Sequence, residues 1–148
     1  MQGEAVTDPS TLNLGLLLFI PYRAMESAVL DELRAQGHDL PISQARVFQR
    51  IGPQGTRMSD LARAAQVSKQ TLGSIVDQLE RRGYVQRVPD PADARGRIVT
   101  ISPLGRRLVD LGRPVVEKVE AGWSARLGPE DTATLRRLLE ELVRESED

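Results

Sequence analysis

The chain has 148 residues, 40% hydrophobic and 28% charged, which is enough for a globular core and too apolar for a disordered chain. It has no cysteine and one histidine, His38, which excludes disulfides, thiolate zinc sites and thiol redox chemistry. The net charge of −1 hides a basic centre: residues 63–107 carry 9 basic and 4 acidic side chains, against 5 and 7 before them and 6 and 10 after.

In chain order, residues 1–9 are polar, end in Asp8-Pro9 and read as an arm. Ser10 or Thr11 can cap a first helix that reaches about Gln36. Leu12, Leu14, Leu16, Leu17, Leu18, Phe19 and Ile20 occupy more than one face of it. A helix apolar on several sides is buried on several sides, and in a chain this small a second subunit is the natural cover. Pro21 should kink or divide the helix. The apolar run is too short to cross a bilayer and lacks the frame of a signal peptide, so a cytoplasmic protein is expected.

Leu40-Pro41-Ile42-Ser43 opens a second helix with Ala45, Val47, Phe48 and Ile51 inward, and Gly52-Pro53-Gln54-Gly55 ends it in a turn. A short helix, Met58 to Ala65, follows. Ser68 then caps a helix from Lys69 to Arg82, closed by Gly83, with Leu72, Ile75, Val76 and Leu79 in one stripe. Residues 84–88 and 98–101 alternate as strands around a charged loop, residues 89–97. Ser102-Pro103 starts a long helix to about Arg126, bent near Pro114. After Gly128-Pro129 a last helix carries Leu135, Leu138, Leu139, Leu142 and Val143 on one face.

The predicted fold is mainly α with a small β-hairpin: a winged helix-turn-helix over residues 39–102, an N-terminal arm and dimerisation helix over 1–38, and C-terminal dimerisation helices over 103–148. With the apolar stripe inside, Gln70, Ser74, Asp77 and Arg81 point outward, with Gly73 and Gln78 beside them. Such a helix can enter the major groove of duplex DNA, where glutamine can bond adenine twice. Gly73 costs up to ~1 kcal/mol relative to alanine in a helix interior, and a close backbone approach to DNA would explain it. Arg95 at the hairpin tip can enter the minor groove, with Asp93 orienting it, Gly96 turning the chain and Arg97 adding charge. The same features also fit an amphipathic helix with a solvated face and an Asp–Arg pair that shapes a turn.

Several runs resemble the MarR family of bacterial regulators: Met58 to Ala62, Val67 to Thr71, Val76 to Val85, Arg87 to Arg95, and Ile101 to Gly105. The resemblance implies a triangular homodimer based on the first and last two helices, with two winged domains on a near-palindromic operator. We read the protein as a sequence-specific regulator and a repressor. The resemblance also implies that Ser68, Gln70, Thr71 and Ser74 face DNA, with Arg95 on the wing. The full candidate DNA-contacting set is Ser68, Lys69, Gln70, Thr71, Gly73, Ser74, Arg81, Asp93, Arg95 and Arg97. It further implies a small aromatic or phenolic effector that releases the DNA, for which Tyr22, Arg23, Met25 and Trp123 are the candidate residues. Enzymatic chemistry is not expected, because His38 has no catalytic partner at useful spacing and no glycine-rich phosphate loop is present. The alternative is a winged-helix protein–protein module without a DNA role, which has no need of outward arginines on a wing.

Overall fold

The structure, a computed structural model, describes residues 8–146. The predicted N-terminal arm therefore lies outside the described residues except for Asp8 and Pro9. The Asp8 carboxylate accepts the Ser10 backbone N–H at 2.9 Å, starting a 3-10 turn over Pro9–Thr11. That bond holds the Asp8 carboxyl below the usual carboxylate range.

Helix α1 spans Leu14–Ala35. Asn13 caps it, accepting the Leu16 N–H at 2.9 Å. The predicted caps Ser10 and Thr11 belong to the preceding turn instead, where the Thr11 hydroxyl donates to the Asp8 carbonyl. Pro21 does not divide α1: it removes one N–H, and the helix continues through it.

Two compact units divide the chain, one of residues 28–112 and another joining the start of the chain, through Ser27, to the stretch from Arg113 onward. The first holds α2 (Ile42–Phe48), α3 (Met58–Ala65), α4 (Lys69–Arg81) and the strands β1 (Thr56–Arg57), β2 (Val85–Asp90) and β3 (Asp93–Ile101), which form an antiparallel sheet in the order β1-β3-β2. Its core draws on every layer: Val47, Leu61, Leu72, Val76, Leu79, Val85 and Val99 are fully buried. All four residues of the α4 stripe are buried, as the spacing predicts.

The sheet exceeds the predicted hairpin in two ways. Strand β1, Thr56–Arg57, pairs with Val99 and Ile98 of β3. Two residues carry no periodicity, so nothing in the sequence marks them. The predicted loop over 89–97 is largely strand, with β2 at Val85–Asp90 and β3 at Asp93–Ile101, leaving Pro91 and Ala92 to reverse the chain. Pro89 reads as a strand breaker, yet β2 is an edge strand, where a missing N–H need not cost a ladder bond. The register steps from Pro89↔Arg97 to Asp90↔Asp93, so Ala94, Arg95 and Gly96 form a bulge on β3.

Helix α5, Pro103–Leu127, begins in the first unit. Ser102 caps it, its hydroxyl oxygen accepting the Gly105 N–H at 3.0 Å while its own N–H donates to the Tyr84 carbonyl at 3.1 Å. These bonds pull the first turn of α5 onto the start of β2. A Cβ at Gly105 would overlap the Tyr84 carbonyl oxygen and lie 2.9 Å from Ile101 Cγ2.

The second unit comprises the first half of α1, the remainder of α5 and helix α6, Pro129–Ser146. Pro114 leaves α5 as one continuous helix. The exposed large hydrophobic residues, among them Leu14, Phe19, Ile20, Leu138, Leu142 and Val143, all fall in this unit. No helix among the described residues is long and apolar enough to cross a membrane.

The obstacle at Gly105 is backbone, which cannot rotate aside. Gly105→Ala is therefore expected to destabilise the protein by about 1–3 kcal/mol, the usual range for overpacking. Urea unfolding measures this, and a wild-type midpoint would contradict the packing at that contact.

Candidate nucleic-acid interface

Helix α3 ends at Gln66, whose φ of 56° is left-handed, and the Val67 N–H returns to the Ala62 carbonyl at 3.1 Å. This tight exit makes the short turn into α4. Ser68 caps α4, accepting the Thr71 N–H at 3.1 Å, and its hydroxyl donates to Thr71 Oγ1 at 2.9 Å. Ser68, Lys69, Gln70, Thr71, Ser74 and Arg81 are all exposed. A Cβ added at Gly73 meets nothing within 4 Å among the described residues, so nothing in them requires glycine there.

Gln78 differs from the outward reading. Its Oε1 accepts from Gln44 of α2 at 2.7 Å, and Gln44 in turn accepts from Arg82 at 3.3 Å. Gln44 is buried, so this chain anchors the C-terminal half of α4 to α2. A buried glutamine on α2 was invisible in the sequence, where only the apolar inner side of that helix had a pattern.

On the wing, Asp93, Arg95 and Arg97 are exposed. Asp93 does not orient the Arg95 guanidinium; its Oδ1 accepts the Arg95 backbone N–H at 3.0 Å. The Arg97 guanidinium donates to the Gly96 carbonyl at 3.1 Å. Gly96 is not among the glycines with positive φ, so the bulge does not need a left-handed residue there. A Cβ there would lie 3.3 Å from Asp90 Cβ, so its small size makes room for Asp90.

Asp90 was missed by the sequence reading, because a carboxylate in a charged stretch looks solvated. Its side chain is only 4% exposed and pairs with Arg57 of β1 at 2.8 Å. It also accepts the Ala92 N–H at 2.9 Å. One carboxylate thus ties β1 to the hairpin reversal that presents the Arg95 bulge. Arg87 of β2 was also missed: it pairs with Asp77 of α4 at 2.6 Å. The arginines of the sheet therefore separate into two kinds. Arg57 and Arg87 face carboxylates, while Arg95 and Arg97 have no carboxylate partner among the described residues.

The four effector candidates all lie in the second unit. The Tyr22 hydroxyl and Arg23 both donate to Glu26, at 3.0 and 3.2 Å, and Arg23 also donates to Ser27 at 2.9 Å. Glu26 is a buried carboxylate that the sequence did not single out. Trp123 lines a groove of about 440 Å³ between α5 and α6 with Leu127, Leu135, Leu139 and Val143; Tyr22, Arg23 and Met25 are not part of its lining.

A short helix, a tight turn, a serine-capped second helix and a three-stranded wing define a winged helix-turn-helix. A sequence model of the MarR family matches residues 38–96. The regulator HosA of Escherichia coli O157:H7 is 31% identical over 106 residues, 71% of this chain and 78% of HosA. The transcriptional activatory protein BadR of Rhodopseudomonas palustris is 39% identical over 75 residues, half of this chain but only 41% of BadR. A crystal structure of MarR is similar over 90% of this chain and 99% of its own, at 29% identity and a TM-score of 0.68. The chain belongs to the MarR family of transcriptional regulators.

Asp90→Ala removes both bonds at once and is expected to cost about 1–3 kcal/mol in chemical unfolding, as for a buried group whose partners are left unpaired. Asp90→Asn keeps an acceptor for Ala92 and should cost less than about 1 kcal/mol, because Arg57 is half exposed and its ion pair is screened. Equal losses for the two variants would contradict this division.

Proposed function

We propose that the protein is a homodimer that binds duplex DNA sequence-specifically through α4 and the wing. The observation that carries this reading is the sorting of charge on one unit. The exposed N-terminal face of α4, with Gln70 and Ser74, lies in the same unit as a wing whose Arg95 and Arg97 face no carboxylate among the described residues. Gln70 and Ser74 suit base edges in the major groove. Ser68, Lys69 and Thr71 sit at the positive end of α4, where phosphate is favoured. Gly73, open on its Cβ side, admits close approach of the DNA. Arg95, on a bulge beside the reversal, suits the negative potential of the minor groove. Asp93 belongs to this reading as the residue that shapes the Arg95 backbone, and Arg81 as a phosphate contact at the far end of α4.

Dimerisation is the second part of the proposal. The unit formed by α1, α5 and α6 leaves Leu14, Leu16, Leu17, Leu18, Phe19, Ile20, Leu135, Leu138, Leu142 and Val143 exposed. An apolar surface of that extent on a monomer marks an interface. We assign the groove beside Trp123 to the partner subunit, since its apolar lining lies on the same α6 helix as these leucines. Two winged units then reach half-sites about one helical turn apart. Bound across a promoter, such a dimer excludes polymerase, which is repression.

Selection from a random duplex pool tests the whole reading, and a near-palindromic consensus is the expected result. No gel shift on any duplex at low salt would leave the winged-helix protein-interaction module in its place. Light scattering should give twice the chain mass at micromolar concentration; a stable folded monomer contradicts the dimer. On the selected operator, Arg95→Ala should flatten the log-log salt slope by about 0.9 for each wing that loses a phosphate contact. Wild-type affinity and slope in that variant would limit Arg95 to shaping the bulge.

A further inference from the structure

Arg87 grips α4 at three places. Its Nη1 lies 2.6 Å from Asp77 Oδ1 and 3.5 Å from Glu80 Oε1, and its Nη2 donates to the Gly73 carbonyl at 3.1 Å. The Arg87 backbone N–H also donates to Glu80 Oε2 at 3.0 Å. Residues 73, 77 and 80 are spaced i, i+4 and i+7, so they line one face of α4. A single residue of β2 therefore holds two turns of the helix through its side chain and its backbone together. The Arg87 side chain is 24% exposed, much less than those of its partners, at 56% for Asp77 and 42% for Glu80.

From this geometry we infer that Arg87 is a positioning residue that fixes the distance and angle between the wing and α4, and not a contact to DNA phosphate. The inference rests on the DNA-binding reading above. A rigid duplex sets the separation of adjacent grooves, so α4 and Arg95 can engage both only when their spacing is held beforehand. Play between them would have to be removed on binding, at a cost in affinity. The charge of Arg87 is matched by Asp77 and Glu80, which would otherwise present two bare carboxylates beside the bound backbone. The planar fork suits this task because one guanidinium can serve several acceptors in fixed directions; an ammonium cannot reproduce that arrangement.

The test compares wild type, Arg87→Lys and Arg87→Met on a selected operator and on a non-specific duplex of equal length, across a salt series. Arg87→Lys keeps the charge and loses the fork. It should bind the operator about tenfold more weakly, or 1.4 kcal/mol, with the non-specific affinity and the salt slope unchanged. Arg87→Met should behave in the same way if it folds by circular dichroism, and Arg87→Lys decides the matter if it does not. A merely structural role would lower both affinities together and so overturn the inference. Wild-type operator affinity in Arg87→Lys would overturn it too, as would a slope flattened by about 0.9 per subunit in Arg87→Met. Failure of the wild-type protein to bind any duplex would instead overturn the DNA-binding reading, and this inference with it.

Discussion

Burial of the α4 stripe is the constraint on which the rest depends. Leu72, Ile75, Val76 and Leu79 leave water together, at about 1.5–3 kcal/mol for each large apolar side chain. Their helix packs against α2, α3 and β2, so it is a wall shared by two helices and the sheet. Fixing that face inward leaves no choice about the opposite one. Gln70, Ser74 and Asp77 must point outward because four apolar residues cannot.

Polar contacts then fix what the apolar contacts leave free. A hydrophobic stripe sets which way a helix faces but permits sliding and rotation, since dispersion contacts have little direction. The Gln44–Gln78 bond pins α4 to α2, the Ser68 cap sets where it begins, and Arg87 ties its outer edge to β2. Asp90 plays the same part in the sheet, holding β1 and the hairpin reversal at one point. These four sites convert a packed core into a defined surface. They also decide which arginines are available, because Arg57 and Arg87 are committed within the fold while Arg95 and Arg97 remain turned to solvent.

The two units differ in kind. Residues 28–112 bury a continuous core that needs no further cover. The unit of α1, α5 and α6 shows the reverse, with leucine faces still exposed on α1 and α6. Its helices nevertheless have well-formed ends, at Asn13 and in the bond from the Thr132 hydroxyl to the Gly128 carbonyl. Local signals suffice to make these helices, and their apolar faces remain exposed.

Sequence by itself determined the helices, their caps at Ser68 and Ser102, the inward stripe of α4 and the presence of a wing. These follow from spacing, capping chemistry and turn residues, all of which act over a few positions along the chain. Only the tertiary structure decided β1, the continuation of the wing strands through Pro89 and Gly96, and the bulge that carries Arg95. The same holds for the partners of Asp90, Arg87, Gln44 and Glu26. Arg57 and Asp90 stand 33 positions apart, and whether an arginine meets a carboxylate or solvent depends on which strand folds beside it. A strand pairing or an ion pair between distant residues leaves no periodic trace, because its energy lies in a contact that exists only after the chain has closed on itself.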